Sequence, residues 1–514
     1  LWRELAEPAR TEQGVKQLKR IKHGRLAGIS LVLGLILSGC ALGPDFKSPD
    51  APTAASGDSY TPDALAPQTA EAGGTAGVAQ RFAFGKDIPE QWWHLFHSEA
   101  LDQLIRNALR QNPNMASAHA ALRQAQENLN AQTGNLLYPS VNGQLGDGRQ
   151  RASEASTGAP GGNVFNLVNA SVSVSYTIDV FGASQRTLEG LQAAVEYHRF
   201  QVEATYLTLT SNLVTTAIKE ASLRAQLRAT REVLDAQKQQ LAVIEKQFEL
   251  GAIPRANLLT QRNQVAQTLS ALPLIEKALA QTRHQLSVYA GKFPSEAGMP
   301  EFQLDSLRLP QNLPVTLPSA LVRQRPDIRA SEALLHEASA QVGVATANQY
   351  PQISLSGNYG SAALRAGDLF SRATGFWSLA ANLAQPIFNG GALSAKRRAA
   401  IAVYDQAEAQ YRATVLAAFQ NVADSLRALD ADAATLKAQT EVEALAVETL
   451  KLTTRQYQLG AVSHLVLLDA QRSYQQSHVS LVQAQAARYA DTAALFQALG
   501  GGWWNRPALA GTSQ

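Results

Sequence analysis

The sequence predicts an α+β membrane protein made of two similar halves, each joining two strands to one very long helix and one shorter helix. Three observations carry this. One segment alternates apolar and polar residues for thirteen positions, two stretches without Gly or Pro are far longer than globular helices, and short motifs recur about 210 positions apart.

The chain starts with a segment that reads as a bacterial export signal. Residues 1–39 hold seven Lys/Arg against three Asp/Glu, so the formal charge of +3 belongs there and the remainder is close to neutral. That balance does not fit a nucleic-acid binder. Lys16, Lys19, Arg20, Lys22 and Arg25 precede an apolar run from Leu26 to Leu37. The run is too short to span a bilayer stably. Cys40 is the only cysteine, so no intrachain disulfide exists. It ends Leu37-Ser38-Gly39-Cys40, a run similar to the bacterial lipobox, in which the thiol is lipidated and becomes the mature N-terminus. Ala41 follows it rather than Asp, which favours the outer membrane. Residues 47–80 are rich in Pro, Ala, Gly, Ser and Thr and predict an extended tether, with folded structure from near Phe82.

The repeat comes next along the chain. Gln247-Phe248-Glu249-Leu250-Gly251-Ala252-Ile253 matches Gln456-Tyr457-Gln458-Leu459-Gly460-Ala461-Val462 at an offset of 209, and Leu258-Leu259 matches Leu467-Leu468 at the same offset. Upstream, Tyr138-Pro139 answers Tyr350-Pro351, and Phe181-Gly182 answers Phe388-Asn389-Gly390. Each half begins with a helical stretch, such as Leu101 to Leu136 with Leu101, Leu104, Ile105 and Leu109 on one face. The long helices follow the strands. Sixty residues without Gly or Pro lie between Gly190 and Gly251, and 68 between Gly391 and Gly460. The longer would extend about 100 Å. Tyr411, Val415, Ala418, Val422, Leu426, Leu429, Ala433 and Leu436 step by threes and fours, an apolar stripe for lateral helix packing.

The strands turn this from a coiled-coil scaffold into a membrane protein. Val168, Ala170, Val172, Val174, Tyr176, Ile178 and Val180 alternate with Asn169, Ser171, Ser173, Ser175, Thr177 and Asp179. Ile353, Leu355 and Tyr359 alternate with Ser354, Ser356 and Asn358. Trp377, Leu379, Ala381 and Leu383 alternate with Ser378, Ala380, Asn382 and Ala384, and a weaker segment runs from Val141 to Leu145. One greasy and one wet face suit a tilted membrane crossing. About four strands per chain cannot close on themselves, and an open edge is not tolerated in hydrocarbon. The barrel must be shared: two copies give roughly eight strands and a filled interior, while three give roughly twelve and leave a passage.

Several motifs then match a known family. Gly43-Pro44-Asp45-Phe46, Trp92-Trp93 with Phe96, Arg325-Pro326-Asp327-Ile328, Pro386-Ile387-Phe388-Asn389-Gly390-Gly391 and Leu467-Leu468-Asp469-Ala470-Gln471-Arg472 resemble the outer membrane factor, or TolC-like, family, in its lipoprotein branch of the OprM and NodT type. The resemblance covers essentially all of the mature chain. It implies a homotrimer with a twelve-stranded β-barrel in the outer membrane, a long periplasmic α-helical barrel and a mixed equatorial domain. It also implies docking to a periplasmic adaptor protein and an inner-membrane RND-type transporter. The expected organisation is a lipoprotein signal peptide at 1–39, a lipid-anchored extended tether at 40–81 and a C-terminal tail at 501–514. The first repeat spans 82–300, with strands near 140–150 and 165–181 and a long helix near 183–250. The second spans 301–500, with strands near 351–362 and 375–388 and a long helix near 392–459.

The function so implied is a passive efflux exit channel for drugs or other small toxic solutes, gated at its periplasmic end. A protein-export channel and a lipid-tethered coiled-coil scaffold are the alternatives. By the resemblance, the gate falls on Leu465, Asp469 and Arg472, with Tyr457 tethering neighbouring helices. Leu465, Asp469 and Arg472 share one helix face, and three copies of Asp469 would form a cation-favouring ring. Thr260 stands at the Asp469 position of the first repeat, which makes the ring threefold. Gly251 and Gly460 mark the helix tips, the expected adaptor contacts. No enzyme signature is present, and His94 and His97 lack partners for a metal set. No cofactor or metal is expected, only acyl and diacylglycerol lipid on Cys40. Asp430 and Asp432 read as solvated helix residues.

Overall fold

The computed structural model describes residues 42–50, 59–63, 65–153, 155 and 163–506. The export segment and Cys40 lie outside them. In chain order the described residues form β1 (Arg81–Phe84), α1 (Glu99–Gln111), α2 (Pro113–Leu137), β2 (Ser140–Ala152), β3 (Asn163–Ile178), α3 (Ala183–Glu249) and α4 (Arg255–Tyr289). There follow β4 (Asn312–Val315), α5 (Pro318–Gln324), α6 (Pro326–Ala347), β5 (Gln352–Ala363), β6 (Gly375–Ala384), α7 (Ala392–Gln458) and α8 (His464–Ala498). The long helices α3 and α7 are both 67 residues, and α4 and α8 are both 35.

The chain folds as two compact units, and neither is one sequence half. One takes the described residues up to Lys47 with Ala125–Val195 and Leu334–Ala407; the other takes Ser48–Gln124, Glu196–Ala333 and the described residues from Glu408 onward.

The first unit holds an antiparallel sheet in the order β2-β3-β5-β6. Directly opposed residues point the same way, so the register Val141↔Val174, Val172↔Tyr359 and Tyr359↔Trp377 collects the apolar sets on one face. Asn169, Ser171, Ser173 and Ser175 of β3 and Ser354, Ser356 and Asn358 of β5 collect on the other. β3 stops at Ile178, short of the alternation through Val180, because Val180 N–H turns back to the Ile178 carbonyl and Gly182 enters at φ 78°. β6 stops at Ala384, short of the expected 388, where Pro386 has no N–H to give a ladder. Within this chain β2 and β6 each leave one edge unpaired among the described residues.

The second unit holds the main core. Trp92, Trp93, Phe96 and Ile105 pack with Leu213, Ile218, Leu286, Phe302, Leu426, Tyr489 and Phe496. β1 and β4 pair in parallel beside it. All eight residues of the predicted α7 stripe are buried. The Arg325-Pro326-Asp327-Ile328 motif has a packing explanation. Pro326 starts α6, Ile328 is buried, and Arg325 clasps Asp327 at 2.7 and 3.0 Å while donating to the Ala498 carbonyl at 2.8 Å.

The described residues of segment 40–81 are not a free tether, and structure is present before Phe82. In the first unit Asp45 meets Arg186 at 2.6 Å and Phe46 stacks on His336 at 4.3 Å. In the second unit Tyr60 Oη donates to the Thr316 carbonyl and Gln80 is fully buried. The segment pairs with itself, Thr69 N–H bonding the Gln80 carbonyl at 2.9 Å, and the α8 side chains Arg488 and Thr492 bond Thr69 and Gln80.

Candidate functional site

The two helix tips have the same backbone. At the first, Gly251 has φ 71°, its N–H bonds the Phe248 carbonyl and Ala252 N–H bonds the Gln247 carbonyl. At the second, Gly460 has φ 72° with the same two bonds to Tyr457 and Gln456. This is a left-handed helix cap that a side chain would strain. Both glycines face open space.

The side chains differ. On α8, Leu465, Asp469 and Arg472 are exposed, whereas Leu467, Leu468 and Ala470 on the opposite side are buried. Leu465 keeps 64% of its surface exposed, so this face is left open among the described residues. The structure does not bring Asp469 and Arg472 into an ion pair among the described residues. Tyr457 reaches the first hairpin, its Oη 3.5 Å from Gln247 Oε1, and its ring lies 5.6 Å from that of His464. His464 is buried with neither ring nitrogen hydrogen-bonded, and burial pushes its pKa down.

Sequence reasoning missed a second cluster. Asp432 is not simply solvated. Burial pushes its carboxyl up to about 7, and Asp491 on α8 pushes the same way by hydrogen bond and charge, against the pull of Arg488. Arg488 is fully buried, and its Nη2 holds Thr69 Oγ1, Gln80 Oε1 and the Val78 carbonyl at 3.0–3.2 Å. No signal of spacing joins positions so far apart. His94 meets Asp102 at 2.5 Å, a contact at the start of α1. No metal-holding group of three or more His, Cys, Asp or Glu occurs among the described residues, and no helix there is long and apolar enough to cross a membrane.

The sheet instead has the character of a membrane crossing. Leu145, Val172, Tyr359, Trp377 and Leu379 are exposed on its apolar face, Trp377 to 73% and Leu379 to 80%. A large exposed apolar face needs a nonaqueous neighbour. The opposite face offers Asn169, Ser171, Ser173, Ser354, Ser356 and Asn358. Strands with one lipid-compatible and one hydrophilic face, coupled to long helices, define a barrel-forming outer-membrane channel subunit.

Comparisons with known proteins agree. The family model for the outer membrane efflux protein matches residues 104–292 and 317–501. The chain is 33% identical to the pyoverdine export outer membrane protein OpmQ of Pseudomonas aeruginosa, over 80% of this chain and 87% of that one. It is 29% identical to the probable efflux pump outer membrane protein TtgC of Pseudomonas putida, over 93% and 96%. It is also 27% identical to the probable outer membrane lipoprotein SilC of Salmonella typhimurium, over 93% and 99%. Among solved structures, the outer-membrane channel OprN superposes with a TM-score of 0.80 at 25% identity, over 90% of this chain and all of that one. CusC superposes with a TM-score of 0.77 at 26% identity, over 90% and 100%. The chain belongs to the outer membrane efflux protein family. That family consists of outer-membrane transport channels rather than enzymes.

Proposed function

We propose that this chain works as a homotrimer, the exit channel of a three-part pump. Three copies supply twelve strands that close one barrel, and the duplicated halves place two hairpins of long helices per copy around the periplasmic passage. The observation that carries this is the four-stranded sheet, with one exposed apolar face and an unpaired edge at both β2 and β6. In lipid those edges require partners, and β6 of one copy can take β2 of the next. Cys40 carries the lipid anchor. The tips at Gly251 and Gly460 meet a periplasmic adaptor that links the channel to an RND-type transporter. Leu465, Asp469 and Arg472 form the resting constriction. Asp469 and Arg472, unpaired among the described residues, pair between copies, and Tyr457 tethers the two hairpins. The cargo is a small solute, in keeping with relatives named for pyoverdine, toluene and antibiotic efflux.

Planar bilayers test the reading: the purified protein should give discrete conductance steps. A protein that never conducts, and leaves outer membranes without detergent, sinks it. Crosslinking in cells from cysteines placed at Ala252 and Ala461 identifies the adaptor.

A further inference from the structure

One end of the sheet joins helices: α2 leads into β2, β3 into α3, α6 into β5 and β6 into α7. The β2–β3 and β5–β6 connections therefore lie at the opposite end, which faces outward in an outer-membrane channel whose helices are periplasmic. At that end β2 and β3 pair onward past Val168↔Ala363, the last β3–β5 pair. Five more residues of β3, Asn163–Leu167, continue outward, about 16 Å of strand.

The apolar face changes character in this extension. Along β2 it presents Val141 and Leu145, then Asp147, Arg149 and Arg151, opposite Val168, Asn166 and Val164. The β5–β6 loop adds to the same face. Its Leu369 is buried against Val168 and Ala363. Ser361 Oγ bonds the Leu369 carbonyl, Thr374 Oγ1 bonds it at 2.9 Å and the two hydroxyls meet at 2.6 Å. So fastened, the loop holds Phe370 85% exposed between Arg365 and Arg372. A cavity of about 640 Å³ opens between the loop and the strands, lined by Leu145, Val172, Tyr359, Phe370 and Arg372. Trp377 and Tyr359 stand opposite each other just below, where amphipathic aromatics mark a membrane interface.

Four arginines thus stand at the outward limit of the lipid-facing surface, beside the acids Asp147 and Asp368 among the described residues. Arg149, Arg365 and Arg372 make no ion pair among the described residues. Guanidinium forks match phosphate oxygens, and the exposed Phe370 suits acyl chains beside a headgroup. We propose that Arg365 and Arg372 beside Phe370, together with Arg149 on the strand extension, form a binding site for a phosphorylated glycolipid of the outer leaflet, of lipid A type. The proposal rests on the channel reading only for which end faces outward.

The test uses the full chain in phosphatidylcholine vesicles doped with lipid A, followed by native mass spectrometry of retained lipid and conductance on the same preparation. The wild type should retain lipid A in preference to phosphatidylcholine. Arg365→Gln with Arg372→Gln should weaken retention roughly thirtyfold, the combined worth of two arginines at an anionic surface. Arg149→Gln, on the strand extension, should weaken it independently. Equal retention by the wild type and the loop variant overturns the site. So does release of the lipid by inorganic phosphate, which would make it a free-phosphate site. Retention without conductance would count against the channel and not the lipid site. Conductance without lipid A preference would overturn the lipid site alone.

Discussion

The two helical hairpins, α3–α4 and α7–α8, share lengths and turns but not chemistry. At an offset of 209, Tyr457, His464, Asp469 and Arg472 of the second hairpin correspond to Phe248, Arg255, Thr260 and Asn263 of the first. Buried charge is also distributed differently. The first hairpin buries Glu220 where the second has Leu429, and the second buries Arg488 beside Asp432 and Asp491 where the first has Leu279, Leu223 and Thr282. Apolar periodicity and a left-handed glycine hold the backbone, and both halves keep them. Titratable groups do not set helix length or turn, so they were free to diverge. In the proposed trimer these groups would form rings of three at the tips, not six.

The largest effect should come from making the first hairpin like the second. Glu220 has no exposed surface and receives Arg224, Arg283 at 3.1 Å and the Phe302 N–H at 3.0 Å. Glu220→Leu leaves the Phe302 N–H without its acceptor and both arginines with Glu301 alone, at 3.0 and 3.7 Å. It should lower stability by about 3 kcal/mol, toward the lower end for breaking a buried pair because both arginines reach solvent. Thermal unfolding measures it. A loss under about 1 kcal/mol would mean the hairpins are interchangeable in their buried charge as well as in their backbone.

At the tips the comparison concerns conductance. Asp469→Ala should raise the frequency of open events severalfold in planar bilayers, while Thr260→Ala leaves it unchanged, because only the second hairpin supplies a carboxylate to the proposed constriction. An equal response to both would remove the gate from α8.

Much of this was legible in the sequence, for identifiable reasons. The α7 stripe and the β3 alternation are periodic, and periodicity maps directly onto which face is buried or paired. Gly251 and Gly460 were legible because a reversing helix needs left-handed backbone. Asp432 was not: its partners sit on another helix, and no local pattern marks them. Nor was the docking of Tyr60, Thr69 and Gln80, since a Pro- and Gly-rich segment has no period and takes its contacts from the surface it crosses. The exposed face bearing Leu465, Asp469 and Arg472 follows from helical spacing. Its role as a gate came from motif resemblance and is for experiment to decide.

Asp432 gives a smaller, pH-dependent difference between the hairpins. Its carboxyl rises from 3.8 to about 7 in the folded chain, chiefly through burial, with Asp491 adding to the shift. A raised folded pKa contributes stability that is full below 3.8 and lost as pH rises through about 7. Asp432→Asn should therefore stabilise the α7–α8 contact above neutral pH, by no more than about 1 kcal/mol because the pair is partly solvated. It should do little in mild acid. Melting curves across pH decide this, and Leu223→Asn in the first hairpin should show no such pH dependence. Stabilisation by Asp432→Asn confined to acid would reverse the assigned sign.

The smallest effect is confined to one turn. Burial holds the His464 pKa below 6.5, with no hydrogen-bond partner for either nitrogen. The closed tip is thus fully stable above 6.5 and weakens as pH falls, because the opened tip takes up a proton that the closed one resists. Hydrogen-exchange protection between Tyr457 and Leu468, taken relative to the intrinsic amide rate at each pH, should fall between about pH 7.5 and pH 5, the range in which histidine changes charge. His464→Phe should abolish the change, since its ring fills the same apolar space without titrating. The first tip, where exposed Arg255 stands in place of His464, should exchange with no such transition. If both tips loosened together in acid, the cause would be a property of the shared turn, and the divergence between the hairpins would end at Asp469.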